Sequence, residues 1–185
     1  MPPHTPTNPP LNAPSPALHG LSLACQAACL FALGIMAGFF WTYSINVNLA
    51  MLEMDGPVYA TVQSAFNRNV RHPLFFAFFF GPIPLALLTL LSSWAQRRRL
   101  WWWLLALAGV AYALGIVWFT RAVNLPLNYL TESWSPNALP VDWTATRDAW
   151  NRANDWRTMT SCAVFALAAL AFALRLCAPA DRSAT

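Results

Sequence analysis

The sequence predicts an all-α fold, a four-helix transmembrane bundle with two polar loops capping one end. Three observations lead there. Hydrophobic residues make up 57% of the 185-residue chain and charged residues only 10%, against about 25% charged in a soluble domain. Four charge-free apolar stretches stand at about 21–45, 74–94, 100–120 and 158–174. Asparagine, arginine and tryptophan concentrate in the segments between them that fall on one side of the bilayer if the spans run in order.

Each stretch suits a helix, because roughly 20 apolar residues cross about 30 Å of hydrocarbon. Backbone groups in lipid have no water to bond, so a spanning segment is a helix or part of a closed barrel. Barrel strands alternate in short segments, whereas these runs are continuously apolar and rich in Leu, Ala and Phe.

In chain order, residues 1–20 carry seven prolines, the last at Pro16, and no basic residue; they are expected as a disordered tail preceding a retained first helix. The first span contains Gly34 and Gly38 in a Gly-x-x-x-Gly spacing that lets another helix approach closely. Packing within the monomer is preferred over a homo-oligomer contact. The first polar segment runs from Asn46 to Pro73, with Pro57 placed as the first-turn residue of a short surface helix over Val58–Val70.

Pro82 and Pro84 are expected to kink the second span, since each removes a backbone donor. Arg97–Arg99 forms the turn to the third span. Trp41, Trp94, Trp101, Trp102 and Trp103 lie near span ends, as an interfacial belt requires. Pro126, Pro136 and Pro140 break the second polar segment, and Asp142 is placed as the N-cap of a helix continuing into the fourth span. That span is the shortest, and its helix can extend back through Trp156. The membrane domain is expected over 21–177, with a short tail at 178–185. Cys25, Cys29, Cys162 and Cys177 sit in or beside spans one and four, so they are read as small hydrophobes and not as a disulfide framework.

All eleven basic residues are arginine, with a formal net charge of +4. Arg97, Arg98, Arg99, Arg175 and Arg182 lie on one side; Arg68, Arg71, Arg121, Arg147, Arg152 and Arg157 lie on the other. Weighting the tight triplet, the positive-inside rule puts both termini in the cytoplasm of a multi-pass protein of the bacterial inner membrane.

Helical spacing sorts the polar residues onto faces. Arg121, Asn124 and Asn128 follow i, i+3, i+7; Arg147, Asn151, Asn154 and Thr158 follow i, i+4, i+7, i+11; Asn67 and Arg71 are i, i+4. Trp143, Trp150 and Arg157 repeat every seven residues beside the second stripe. Polar groups at span ends are costly when they face lipid, so these faces are expected to turn inward. The candidate binding set is Asn46, Asn67, Arg71, Arg121, Asn128, Trp143, Trp150, Asn151 and Asn154. Such donors with indole walls suit a hydrophobic aromatic small molecule bearing oxygen substituents. The plainer alternative is that these residues satisfy loop carbonyls and pair with Glu132, Asp142, Asp148 and Asp155.

Counting ligands argues against a transition metal. Histidine occurs only as His4, His19 and His72, and the paired Glu-x-x-His motifs of di-iron bundles are absent from the sequence. His72 has two readings, a general base near neutral pH or an interfacial capping residue before Pro73. No phosphate loop or nucleotide fingerprint occurs, and no nucleic-acid partner is expected.

Gly38-Phe39-Phe40, Tyr43-Ser44-Ile45-Asn46-Val47, Asn67-Arg68-Asn69-Val70 with Pro73-Leu74-Phe75, Asn124-Leu125-Pro126-Leu127-Asn128, Trp150-Asn151 and Arg157-Thr158 together resemble the anthrone oxygenase-like integral membrane family. The resemblance covers roughly residues 34–174. This chain departs from many relatives at Asn48-Leu49-Ala50, where they carry a Met-Pro-Gly-like element. The resemblance implies a small four-helix membrane protein whose characterised relatives oxidise an anthrone to an anthraquinone with molecular oxygen and no recognised cofactor.

Two function classes follow. One is a cofactor-independent oxygenase of a phenolic or anthrone-like substrate, with His72 as base and with Arg157, Asn124, Asn128, Asn151 and Arg71 stabilising an oxyanion. The other is a non-catalytic protein that binds a membrane lipid or small molecule, or packs as a subunit of a complex. A transporter is weaker, because four spans leave little room for inverted repeats.

Overall fold

The computed structural model describes residues 16–178. The expected tails, through residue 15 and at 179–185, lie outside the described residues. Helix α1 spans Pro16–Thr42 and continues through a π-turn, Tyr43–Val47, into α2, Asn48–Leu52. Next come α3 (Gly56–Asn69), α4 (Pro73–Phe80) and α5 (Pro82–Ser92). Helix α6 (Leu100–Tyr112) runs through two π-segments, Ala113–Trp118 and Thr120–Asn124, into α7 (Leu125–Glu132). Helix α8 spans Trp143–Leu176. No strand occurs among the described residues, and the fold is all-α.

Four of these helical units are long and apolar enough to cross a membrane: Ala17–Leu52, Pro73–Ser92, Leu100–Glu132 and Trp143–Leu176. The chain is accordingly an integral, multi-pass membrane protein. Spans one, three and four run well past the apolar stretches that define them. Backbone groups at the membrane boundary are met most fully inside a helix, so turns holding Asn48, Asn128 and Asn151 stay helical. Residues 16–20 are helical as well, where tail was expected.

Span one packs against spans two and four, and span three closes the ring against two and four. Met36, Phe40, Leu105, Tyr112, Ile116 and Val164 fill the centre, while Leu87, Leu91, Leu107, Val110 and Leu114 face outward. The second span breaks at Gly81, as Pro82 and Pro84 lead one to expect. Side chains from other spans reach carbonyls beside the break: the Tyr112 hydroxyl donates to Phe79 at 2.9 Å and the Cys29 thiol to Pro82 at 3.4 Å.

The tryptophan belt needs correction. Trp41, Trp94 and Trp103 are exposed, but Trp101 and Trp102 are buried, and Trp102 donates to the Leu90 carbonyl at 3.1 Å. Residues one apart on a helix point about 100° apart, so three consecutive tryptophans cannot all face lipid.

Within the Gly-x-x-x-Gly, a Cβ on Gly34 would meet the Phe165 ring of span four at 3.1 Å, while Gly38 has open space. Gly34 therefore serves packing within the monomer. A closer approach occurs at Gly115, where a Cβ would lie 2.6 Å from the Thr160 methyl. Gly115→Ala is expected to destabilise the bundle by about 1–3 kcal/mol, as overpacking does. Thermal denaturation in detergent checks this: adding Thr160→Ser removes the methyl and should restore most of the loss, and absence of rescue refutes the account.

Candidate functional site

Both polar loops gather at one end. Helix α3 starts where Asp55 accepts a bond from the Val58 amide at 3.0 Å, with Pro57 in the first turn. It packs on α7. Asp142 does stand before α8, but its carboxylate makes no capping bond.

The inner part of the site is a directed hydrogen-bond relay between spans one and four. Arg157 Nη2 donates to Asn154 Oδ1 at 2.8 Å, and Asn154 Nδ2 donates to Ser44 Oγ at 2.9 Å. Ser44 and Thr158 hydroxyls are 2.9 Å apart, and Thr158 donates onward to the Phe40 carbonyl at 2.9 Å. One hydroxyl carries one proton, so with Thr158 committed to a carbonyl, Ser44 is the donor to Thr158. The π-turn at Tyr43–Val47 holds Ser44 in this chain. Every member but Ser44, which is half-buried, is buried.

Arg157 is 8% exposed, lies 4.7 Å above the Phe40 ring and 5.9 Å from the Trp150 ring, and has an Nε–H with no partner. Among the described residues its hydrogen-bond partner is the Asn154 amide and no carboxylate pairs with it. A cation taken out of water without a counter-ion is costly. An isolated buried cation with a free N–H is complementary to an anionic group. Asn124 is wholly buried and neither its Oδ1 nor its Nδ2 finds a partner; Asn48 and the Thr120 hydroxyl are likewise buried and unpartnered.

The outer part ties the loops down. Gln63 donates to Asn67 at 3.0 Å, Asn67 to Thr131 at 3.1 Å, and Thr131 to the Asn128 carbonyl at 3.0 Å. Trp150 Nε1 donates to Asn128 Oδ1 at 2.7 Å. Tyr59 packs on Trp134 and Trp143. Burial raises its phenol well above the ordinary value, opposed in part by Arg147, so it stays a neutral donor.

Asn67, Asn124, Asn154, Arg157 and Trp150 are thus buried at this end, with Asn128, Asn151 and Trp143 half-buried beside them. Four expected residues lie elsewhere. Asn46 is exposed, and Asn48 is the buried member of that pair. Arg121 is exposed and lines a surface groove of about 360 Å³ with Trp118, Leu125 and Tyr129. The π-segment Thr120–Asn124 changes the turn, so 3.6-residue spacing no longer places Arg121 with Asn124; π-adjustments of this sort also let a span carry a proline such as Pro126.

His72 is exposed at the N-cap of α4, its Nδ1 accepting the Phe75 amide at 3.3 Å. Arg71 is exposed, in a two-pronged ion pair with Glu132 and 5.7 Å above the Tyr129 ring. A double-mutant cycle with Arg71→Gln and Glu132→Gln should give a coupling of about 1 kcal/mol or less, because water screens such a pair. Ser44, Asn48, Gln63 and Thr131 were not expected; an i, i+4 pairing of Ser44 with Asn48, or of Gln63 with Asn67, was the available sign.

Among the described residues no three His, Cys, Asp or Glu side chains converge. A family model described as anthrone oxygenase matches residues 74–167, which includes Asn124, Asn128, Trp150, Asn154 and Arg157. No curated protein and no solved structure matches the chain.

Proposed function

The chain belongs to the anthrone oxygenase family, and on that premise we propose that it oxidises a membrane-soluble anthrone-like or phenolic compound with molecular oxygen and no cofactor. The observation that carries this reading is the buried, carboxylate-free Arg157 with an unpartnered Nε–H, in the same polar end as the unpartnered Asn124 amide.

Loss of a proton from the substrate's methylene carbon gives an enolate whose charge rests on oxygen. Arg157 and Asn124 stabilise that oxygen, and Trp150 flanks the ring. Stabilising the anion lets water accept the proton. The electron-rich carbon then adds oxygen to give a peroxide, which loses water as the second carbon–hydrogen bond breaks. In balance, CH2 plus O2 becomes C=O plus H2O, oxygen being reduced and carbon oxidised. Capping by His72 favours this assignment over a histidine base.

The test is oxygen uptake and quinone formation by purified protein given an anthrone, with and without chelator. Turnover that survives chelation is expected; turnover lost to chelator sinks the cofactor-free route. A second reading, a non-catalytic binder, is favoured by the capping role of His72, which leaves the site without an evident base. It predicts ligand-induced change in tryptophan fluorescence with no oxygen uptake over a broad phenolic panel. With the Arg97–Arg99 turn in the cytoplasm, the proposed site opens on the opposite side, and a reporter fused to the C-terminus reads that sidedness.

A further inference from the structure

The other end of the bundle holds a second buried arginine that the proposed chemistry does not use. Arg175, in the last turn of α8, is 7% exposed. Its Nη1 donates to Gln26 Oε1 at 2.7 Å and to the Ser22 carbonyl at 3.3 Å, and Nη2 donates to Ser22 Oγ at 2.9 Å. The Trp101 ring lies 4.5 Å beneath the guanidinium. Every partner is neutral, and no carboxylate pairs with Arg175 among the described residues.

Three side-chain atoms around this cation are buried without a hydrogen-bond partner: Arg175 Nε, Gln26 Nε2 and Trp101 Nε1. All three are N–H donors. A buried positive charge ringed by unanswered donors is complementary to an anion and not to a neutral or cationic group. A small cavity of about 10 Å³ adjoins Arg175, lined also by His19, Ser22, Ser92, Ser93 and Gln96. That is room for about one oxygen atom. Among the described residues no acidic side chain lines it, and Arg97 and Arg98 follow Gln96 directly on an exposed turn.

We propose that this end of the bundle binds a phosphate group, one unesterified oxygen seated against Arg175 and the remainder facing the exposed turn at Arg97 and Arg98. Basic pockets between spans at a membrane surface are suited to anionic headgroups. The phosphate comes from a lipid headgroup or from free phosphate in solution.

Titrating the intact protein in detergent with phosphatidylglycerol, with diacylglycerol and with inorganic phosphate separates these sources. Adducts are read by native mass spectrometry and the thermal midpoint is followed in parallel. Phosphatidylglycerol is expected to be retained about tenfold over diacylglycerol, the scale of one charge-assisted hydrogen bond. Arg175→Gln should reduce its retention to the diacylglycerol level, and Trp101→Phe, which keeps an aromatic ring and removes one orphan donor, should reduce it partway. A rise in midpoint with inorganic phosphate, absent in Arg175→Gln and without lipid selectivity, identifies the solution source and still supports the site. Equal retention of the two lipids by the wild-type protein, with no response to phosphate, overturns the proposal whatever the variants do. So does a folded Arg175→Gln protein that retains phosphatidylglycerol as well as wild type.

Discussion

Replacing Arg157 by methionine is expected to abolish turnover while leaving the bundle about as stable as before. The functional half rests on the unpartnered Nε–H and on the absence of a carboxylate. A donor positioned for a developing oxyanion is worth about 10²- to 10³-fold in kcat, so oxygen uptake per folded molecule should fall by at least that factor. The structural half sets two opposed effects against each other. Removing a buried ion in favour of a well-packed apolar side chain is often neutral or stabilising by about 1–4 kcal/mol. Against this, Asn154 Oδ1 loses its donor, which costs about 1–3 kcal/mol in a buried setting.

A purely structural arginine behaves in the opposite way. Its loss lowers the melting midpoint sharply while activity per folded molecule survives. Measuring both quantities on one preparation therefore decides the role of Arg157, because the two accounts differ in sign on both axes.

The bundle was legible because lipid imposes a single rule, that backbone donors and acceptors be met within the segment. Continuous apolar runs give the spans away, and paired prolines give away the break near Gly81. The same rule explains what the runs concealed. Turns carrying Asn48, Asn128 and Asn151 remain helical although their side chains are polar, so the helices outlast their hydrophobic signal.

Faces were legible only where the helix is regular. Along α8 the stripe of Asn154 and Thr158 is buried, with Arg147 and Asn151 half-buried beside it. Along span three the two π-segments alter the turn, and Arg121 parts from Asn124. Local spacing also cannot separate a buried asparagine from its exposed neighbour two residues away, which is why Asn46 stood for Asn48. In the sequence Arg175 stands out only as one of the charges that set sidedness. Its burial depends on Ser22 and Gln26, which lie almost the whole chain away and are themselves an i, i+4 pair on span one.

Substituting leucine at two buried asparagines should give opposite results. Asn67 is fully engaged, accepting from Gln63 and donating to Thr131. Asn67→Leu leaves the Gln63 amide without an acceptor, and loss of about 1–3 kcal/mol is expected from a stranded buried donor. Asn124 is equally buried, yet both of its amide atoms are unpartnered. Asn124→Leu removes two unanswered polar atoms and strands none of the described partners. A gain of up to about 1–3 kcal/mol is therefore expected, the size of the penalty relieved. If the amide is there to meet substrate oxygen, that gain comes with loss of turnover, the trade-off common at functional sites. Asn67→Leu should by contrast keep its activity per folded molecule. Equilibrium unfolding of both variants in detergent, with oxygen uptake on the same samples, gives four readings. Asn124→Leu destabilised as much as Asn67→Leu, with activity retained, would make Asn124 a structural residue and remove it from the site.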